Sequence, residues 1–306
     1  MRILEAAANT PDGVGSFGTI LRMLTSLLAT IPAPPFQNLE VGPLTLHGYG
    51  LTMGVAIVAS LMLCEWGLKR QHVDTTRFMT AGFIAIAFGF LGARLYHVAS
   101  EPSRFAENPE DILAIWQGGL GIYGAVLGGA FGALFFGPRF GIPRRAWADI
   151  AAPGLLLAQA IGRIGNYLNQ ELFGKPLDAW WALEVDLEHR PLAVAQEATF
   201  HPTFLYESLL NLGLFFVFLA LCKRWTSRAP GVLLPLYVAA YSTVRIIVEP
   251  LRIDAAHEWF GVRQNVWVAG TLIVAGLVVA IIMQRRYART GSSVAASSTA
   301  ATPPAS

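Results

Sequence analysis

A run of charged and amide side chains at positions 162–174 has the residue types needed to bind a phosphate group. Arg163, Asn166 and Asn169 recur every third residue, so they share one face of a helix. A guanidinium binds two phosphate oxygens in a planar fork, and amides can bind the remaining oxygens. The alternative is a structural ion pair between Arg163 and Glu171, but one carboxylate does not require a row of amides beside the cation. The run therefore favours an anion site.

A second cluster combines both signs of charge on one predicted helix. Arg245 and Glu249 are four residues apart, and Glu249 and Arg252 are three apart, so an Arg–Glu–Arg ladder is available. Buried charges usually persist by such pairing, which favours a structural role. The ladder still has one more arginine than glutamate, and that excess charge suits an anionic ligand.

Further polar side chains lie within or beside apolar stretches. Arg94 and His97 are three residues apart near the end of one stretch, where they either snorkel to the interface or serve the site. Tyr123 lies in a segment whose glycines recur at intervals of four, a pattern typical of close helix packing. His201 precedes a predicted helix, where a histidine is more often a cap or loop residue than a base. Glu207 lies near the positive N-terminus of that helix.

The composition places these side chains in a membrane protein. Of the 306 residues, 54% are hydrophobic and 14% are charged, whereas soluble domains carry about 25% charged residues. The mean hydropathy is +0.49. A net charge of +2, with no basic run between aromatic residues, excludes nucleic-acid binding. Cys64 and Cys222 lie far apart in apolar stretches, so we expect small buried side chains rather than a disulfide, a metal pair or a nucleophile, and no metal or cofactor.

Seven apolar segments approach the roughly 20 residues that cross a bilayer. They are 46–68, 78–99, 119–137, 147–168, 203–222, 232–248 and 266–283. We therefore expect an all-α polytopic membrane protein with about seven transmembrane helices within positions 41–286. An extension at 1–40 includes a possible interfacial helix at 20–31. The tail at 287–306, rich in Ser, Thr, Ala and Pro, is predicted to be disordered.

The positive charges of the loops predict the orientation of these helices. The loops after the first, third, fifth and seventh segments each hold three Lys or Arg residues: Lys69, Arg70 and Arg77; Arg139, Arg144 and Arg145; Lys223, Arg224 and Arg228; Arg285, Arg286 and Arg289. The loops between them are acidic or mixed. This pattern predicts an N-terminus outside the cell and a C-terminus in the cytoplasm, with 170–202 as an extracytoplasmic segment.

In chain order, these motifs resemble those of the bacterial prolipoprotein diacylglyceryl transferases. Besides the 162–174 run, the resemblance includes Leu46-His47-Gly48-Tyr49-Gly50, Gly92-Ala93-Arg94, Trp116-Gln117-Gly118-Gly119, Asp149-Ile150-Ala151-Ala152-Pro153, His201-Pro202, Leu205-Tyr206-Glu207, and Arg245 to Glu249 with Arg252. It covers about residues 40–285. The family fold has seven transmembrane helices and an external N-terminus, in agreement with the segments and charges above.

The resemblance implies transfer of the sn-1,2-diacylglyceryl group of phosphatidylglycerol to the lipobox cysteine of a prolipoprotein signal peptide, with release of glycerol 1-phosphate. It implies a multi-pass protein of the bacterial plasma (inner) membrane, with membrane lipid around it and no cofactor. The residues implied as catalytic are Arg163, Arg245, Tyr123 and Glu249. Those implied to bind phosphatidylglycerol are Arg163, Asn166, Tyr49 and Glu171. Supporting positions are Arg94, Asn169, Gly174, His201, Glu207 and Arg252.

Two positions depart from the family pattern. Many members carry a histidine, proposed as an essential base, where this chain has Tyr123. A tyrosine ordinarily has a pKa of about 10, so either its pKa is strongly depressed or another group deprotonates the substrate thiol. Pro250 stands where an aromatic residue is common, and it should kink the sixth span between Glu249 and Arg252.

Two other classes of function share some of these features with the transferase. A transporter of a small organic anion would also place Arg and Asn inside the membrane. No inverted repeat is visible in the sequence, however, and the polar cluster lies at one membrane edge. A thiol-dependent hydrolase using Cys64 or Cys222 does not fit, because neither cysteine lies near Arg163 or His201.

Overall fold

The computed structural model describes residues 30–41, 44–114, 118–225 and 229–300. Most of the possible interfacial helix at 20–31, as well as Trp116 and Gln117, lies outside the described residues. Thr30 and Ile31 are the first described residues. Ile31 forms a β-bridge to Leu183, and the Thr30 hydroxyl donates to the Glu184 carboxylate at 2.5 Å. The end of the N-terminal extension is thereby attached to the 170–202 segment.

The described chain is mostly helical, and a helix lies at each of the seven predicted segments. A hairpin of β1 (Asn38–Val41) and β2 (Leu44–His47) leads into α1 (Gly48–Arg70), and α2 (Phe78–Ser100) and the short α3 (Pro102–Glu107) follow. Next come α4 (Ile122–Phe131), α5 (Arg144–Leu168), β3 (Leu183–Glu184), β4 (Thr199–Phe200), α6 (Thr203–Trp225) and α7 (Leu233–Val248). The last elements are β5 (Glu258–Trp259), β6 (Val262–Arg263) and α8 (Gln264–Ala300).

Four of the described helices are long and apolar enough to cross a membrane: α1, α2, α6 over Thr203–Lys223, and α8 over Gln264–Arg289. The helices at the other three predicted segments are either shorter or more polar. Helix α4 has 10 residues and continues through a π turn (Gly132–Phe136) and a 3-10 turn (Gly137–Phe140). Helix α7 has 16 residues, and α5, with 25, carries the polar run.

Glycines bring α2 and α4 into backbone contact, as their spacing predicted. A Cβ atom on Gly124 would lie 2.1 Å from the Gly92 carbonyl oxygen, and one on Gly128 would lie 2.1 Å from the Phe88 carbonyl oxygen. No side chain fits at such distances. Close packing of this helix pair therefore requires glycine at these positions.

A buried aspartate connects α5 with the start of α7. Asp149 is 1% exposed and accepts hydrogen bonds from the N–H groups of Gly231 at 2.7 Å and Leu233 at 3.1 Å. These N–H groups lie at the N-terminal end of α7, where they lack partners within the helix. Around this contact, α5, α6, α7 and α8 share one apolar core.

The two cysteines are not bonded to each other. The Cys64 thiol faces the Ile150 carbonyl oxygen at 3.6 Å, and the Cys222 thiol faces the Asp149 carbonyl oxygen at 3.7 Å. Both thiols therefore pack along α5.

Two local expectations differ from the structure. Pro250 does not kink a continuous sixth span, because α7 ends at Val248 and Glu249–Leu251 form a separate 3-10 turn. Helix α8 continues to Ala300, so residues 287–300 are helical rather than irregular as predicted for the tail. The first proline after the span is at position 303, so no residue before it prevents the helix from continuing.

Candidate active site

Glu207, near the start of α6, lies at the centre of a network of arginines. Its side chain is 2% exposed and forms ion pairs with Arg163 of α5 and, at 2.9 Å, with Arg245 of α7. Arg252 Nη1 lies 3.7 Å from the same carboxylate. The carboxylate therefore joins arginines from three parts of the chain. Glu207 was predicted only as a supporting residue.

Glu249 is the second buried carboxylate of the network. Its side chain is 1% exposed and accepts hydrogen bonds from Arg245 Nη2 at 2.6 Å, Arg263 Nε at 2.9 Å and Asn265 Nδ2 at 2.8 Å. The Arg245–Glu249 pair predicted from the four-residue spacing is thus present. The predicted Glu249–Arg252 pair is replaced by Arg263, because the 3-10 turn after α7 directs Arg252 toward Glu207 and Asp254.

Asp254 is the third carboxylate of the network. It binds Arg252 Nε at 2.6 Å and Arg263 Nη2 at 3.1 Å. Burial opposes ionisation of this carboxyl group, but the hydrogen bond from Arg252 and the charges of both arginines outweigh it and lower its pKa below the usual value. Asp254 is therefore an ionised member of the network at neutral pH.

The 162–174 run supplies the side chains next to Arg163. Arg163 Nη1 donates to Asn166 Oδ1 at 3.1 Å, and Asn166 Nδ2 donates to Glu171 Oε1 at 2.8 Å. Glu171 is therefore connected to the arginine through an amide, which differs from the direct ion pair of the structural alternative. Asn169 lies at the C-terminal cap of α5, where its N–H donates to the Gly165 carbonyl oxygen.

Gly174 is a position where the chain must approach closely. It bridges to Arg252, and a Cβ atom there would lie 2.7 Å from His201 Cβ and 2.8 Å from the Leu251 carbonyl oxygen. The 170–202 segment consequently packs directly on the turn that carries Arg252. His201 Nδ1 lies 3.2 Å from the Tyr206 hydroxyl. Burial, together with the charge of Lys175, lowers the pKa of His201, so its ring is neutral at pH 7.

Tyr49 borders this cluster from α1. A Cβ atom on Gly165 would lie 2.8 Å from Cδ2 of the Tyr49 ring, so the ring packs against the α5 backbone between Arg163 and Asn166 in sequence. The ring is half-buried. Tyr49 therefore lies beside the 162–174 run.

Arg94 lies outside the network. Its Nε donates to the Ile112 carbonyl oxygen at 2.8 Å, and its Nη1 donates to the carbonyl oxygens of Gly118 and Gly119 at 2.8 and 3.0 Å. Its Nη2 donates a further bond to the backbone carbonyl oxygen of Asp111. The guanidinium is buried and holds the segment between α3 and α4, which is a structural role distinct from both interpretations made from the sequence.

Replacing Arg94 with lysine is expected to loosen the segment at 109–119, because an ammonium group cannot reach carbonyl oxygens in so many directions. Each charge-assisted bond is worth about 1.5–3 kcal/mol, so cleavage of this segment by a protease should be at least about tenfold faster. Limited proteolysis of the reconstituted protein measures this. Arg104→Lys is the matched control, since Arg104 is half-exposed and lies 3.4 Å from Glu101. Equal cleavage rates for the two variants would contradict the assignment.

Tyr123 also lies apart from the network in this structure. It is 49% exposed, and its ring packs on Tyr96 with 5.6 Å between the ring centroids. The arginine of the neighbouring helix, Arg94, is bound to carbonyl oxygens and does not serve the Tyr123 hydroxyl.

Replacing Tyr123 with phenylalanine is therefore expected to lower transfer by no more than the worth of one neutral hydrogen bond, about 0.5–1.5 kcal/mol. The pH profile of the rate should keep its shape. Rate measurements between pH 6 and about 10 test both expectations. A loss of about a hundredfold or more, with a changed alkaline limb and partial recovery in Tyr123→His, would show that Tyr123 is the base instead.

Arg263, Asp254 and Asn265 were not predicted from the sequence. They lie in a connection and at the beginning of the last helix, at distances in sequence that no helical periodicity links to Glu249. The sequence does contain one polar feature that could have indicated them: Arg263 directly precedes the last helix, and Asn265 is its second residue. Polar residues are common at the end of a membrane span, where water and lipid headgroups solvate them. This feature alone therefore does not indicate a site.

The network has the chemistry of an anion site. Four arginines, Arg163, Arg245, Arg252 and Arg263, meet three carboxylates, Glu207, Glu249 and Asp254. One positive charge is left over within this set, in surroundings where buried charges interact strongly. Within the described part of the chain, no group of three or more His, Cys, Asp or Glu side chains is arranged to hold a metal ion.

Comparison with known proteins decides the family. The family model described as prolipoprotein diacylglyceryl transferase matches residues 37–282, a range that contains every member of the network. The chain belongs to this family. A phosphatidylglycerol–prolipoprotein diacylglyceryl transferase of Frankia alni is 42% identical over 263 residues, which cover 85% of this chain and 69% of the relative.

Two further relatives carry the same description. One from Streptomyces coelicolor is 41% identical over 85% of this chain and 83% of its own length. Another from Cutibacterium acnes is 40% identical over 85% of this chain and 88% of its own length. Membership of the prolipoprotein diacylglyceryl transferase family identifies the chain as a diacylglyceryl transferase, and the apolar helices identify it as a membrane protein.

Proposed function

We propose that the chain transfers the sn-1,2-diacylglyceryl group of phosphatidylglycerol to the lipobox cysteine of a prolipoprotein signal peptide. The cysteine thiolate attacks the glyceryl carbon that bears the phosphate. The carbon–sulfur bond forms as the carbon–oxygen bond to phosphate breaks, and glycerol 1-phosphate leaves with the electron pair of that bond. The thiol proton is released to a base or to water.

The observation that carries this proposal is the excess positive charge of the network around Glu207. A phosphodiester has one negative charge, and a second negative charge develops on the leaving phosphate during the reaction. Fixed guanidinium groups in surroundings of low dielectric constant stabilise such developing charge without reorganising. The family membership and the described relatives support the same reaction.

The positions of the side chains suggest a role for each. Arg163, oriented by Glu207 and Asn166, presents its guanidinium to the phosphate of phosphatidylglycerol. Glu171 fixes the Asn166 amide, whereas Arg245, held between Glu207 and Glu249, supplies a second cation. Tyr49 lines the headgroup region beside α5. We assign to Tyr123 a hydrogen bond to the lipid rather than proton transfer.

The proposal includes a placement in the plasma (inner) membrane with seven spans. In this placement the helices at 122–140, 144–168 and 233–248 cross together with the four that are long and apolar enough. The loops rich in arginine and lysine then face the cytoplasm, as the positive-inside rule favours. The network, at the end of α5 and the beginning of α6, lies toward the external surface, where an exported signal peptide presents its cysteine.

The purified chain, incubated with phosphatidylglycerol and a lipobox peptide, tests the function. We expect a mass gain equal to one diacylglyceryl group, linked to the cysteine through a thioether. A lipobox peptide with serine in place of cysteine is the control and should gain nothing. Counterflow uptake of an organic anion into vesicles, without the thioether product, would contradict the proposal and favour the transporter.

A further inference from the structure

A short β-hairpin with a two-residue turn lies directly before α8. Strand β5 (Glu258–Trp259) pairs antiparallel with β6 (Val262–Arg263), which leaves Phe260 and Gly261 as the turn. Both turn residues have positive φ, 55° and 73°, as a type I′ turn requires. Asparagine or glycine is the ordinary choice at the first turn position, and a bulky residue is strained there. The turn itself does not explain the phenylalanine.

The tip of the hairpin exposes apolar surface. Phe260 is 97% exposed and Trp259 is 50% exposed. Trp267, in the first turn of α8, donates from Nε1 to the Trp259 carbonyl oxygen at 3.2 Å, and its ring centroid lies 6.4 Å from that of Phe260. The residues from Trp259 to Val262 carry no charge. The tip therefore forms a small aromatic surface that continues along α8.

The aromatic surface lies next to a candidate membrane span, helix α8. From Gln264 to Arg289 it is long and apolar enough to cross a membrane. A hairpin that ends where this span begins lies at the level of the lipid headgroups. Aromatic rings that stand at this level prefer the boundary between headgroups and acyl chains.

We propose that Trp259 and Phe260 insert into the phospholipid interface of the membrane that α8 crosses, and that this insertion holds Arg263 in the network. Arg263 stands at the base of the hairpin, opposite Glu258. It reaches Glu249 at 2.9 Å and Asp254 at 3.1 Å. A shift of the tip away from the lipid moves Arg263 away from Glu249, the carboxylate that also binds Arg245. The hairpin is thus a positioning element for the arginine site.

The depth of the tip is measured on the full chain in phospholipid nanodiscs. A nitroxide label is attached at Phe260→Cys in a background in which Cys64 and Cys222 are replaced by alanine. Two other labelled positions calibrate the measurement: Val274→Cys, on the apolar part of α8 and 63% exposed, and Glu188→Cys, whose native side chain is 78% exposed. We expect the collision rates with oxygen and with a water-soluble nickel complex at position 260 to lie between those at 274 and those at 188, as for a side chain at the interface. Collisions with a water-soluble nickel complex that match those at 188 would overturn the proposal.

The coupling to the site is measured with Phe260→Asn. Asparagine tolerates positive φ, so the melting temperature should not fall, whereas the lipid contact is lost. We expect transfer in vesicles to fall about tenfold, the scale of losing one inserted aromatic side chain, and Phe260→Trp to retain activity. Full transfer by Phe260→Asn would overturn the coupling. This measurement rests on the proposed transferase function, but the depth measurement does not, so failure of one is distinguishable from failure of the other.

Discussion

Replacement of Arg163 by alanine is expected to lower transfer about a hundredfold to a thousandfold, the scale of losing one fixed donor to a developing oxyanion. Arg163 is bound to Glu207 and Asn166, so its guanidinium is already oriented before the lipid arrives. The variant should still insert into the membrane, because the network retains Arg245 and Arg252 around Glu207. Initial rates of thioether formation, with membrane insertion measured in parallel, test this expectation.

Arg163→Lys tests whether a positive charge at this position is sufficient without the planar geometry of the guanidinium. A lysine ammonium is a point charge and cannot bind Asn166, Glu207 and two phosphate oxygens as a planar fork does. We therefore expect this variant to be nearly as inactive as Arg163→Ala. Arg144→Lys is the matched control, since Arg144 lies at the opposite end of α5 and donates from Nε to the Leu134 carbonyl oxygen. Near-normal turnover in Arg163→Lys would show that charge alone suffices.

Replacement of Glu249 by alanine is expected to damage stability and activity together. The carboxylate is 1% exposed and accepts from Arg245, Arg263 and Asn265, so its loss leaves buried donors unpaired. Breaking a buried ion pair in this way costs about 3–5 kcal/mol. The melting temperature in detergent and the transfer rate in vesicles should both fall clearly.

The double variant Arg245→Leu, Glu249→Leu removes the two charges at once. Glu207 then keeps Arg163 and Arg252, and Arg263 keeps Asp254. We expect it to lose less stability than Glu249→Ala but to remain inactive, because the second cation of the site is gone. If the double variant transferred at the normal rate, the Arg245–Glu249 pair would be structural and the site smaller than proposed.

The sequence predicted those parts of the site that depend on short spacing. Arg163 with Asn166, and Arg245 with Glu249, are three and four residues apart on helices, so helical geometry alone brings them together. The apolar segments predicted all seven helix positions for the same reason. Length and apolarity are local properties, but they do not give the exact ends: the α-helical part of the third segment stops at Phe131, where a π turn follows, and the last helix continues to Ala300.

Contacts between distant parts of the chain could not be predicted in this way. Glu207 binds Arg163 and Arg245, and these pairs depend on how α5, α6 and α7 pack rather than on any spacing in sequence. Arg263 was missed because an arginine before a membrane helix is ordinarily an interfacial residue. Arg94 was left open between an interfacial role and a role at the site because an arginine in an apolar stretch needs a partner, and here backbone carbonyl oxygens are that partner.

The central claim is that the arginine network serves departure of a phosphate as the cysteine is alkylated. The most direct measurement counts both products in one reaction of the reconstituted chain with phosphatidylglycerol and a lipobox peptide. Mass spectrometry quantifies the thioether peptide, and phosphorus NMR quantifies the released glycerol phosphate. The account predicts equal amounts of the two products, and neither product with Arg163→Ala. Thioether formed without glycerol phosphate, or equal yields from Arg163→Ala and the unaltered chain, would contradict it.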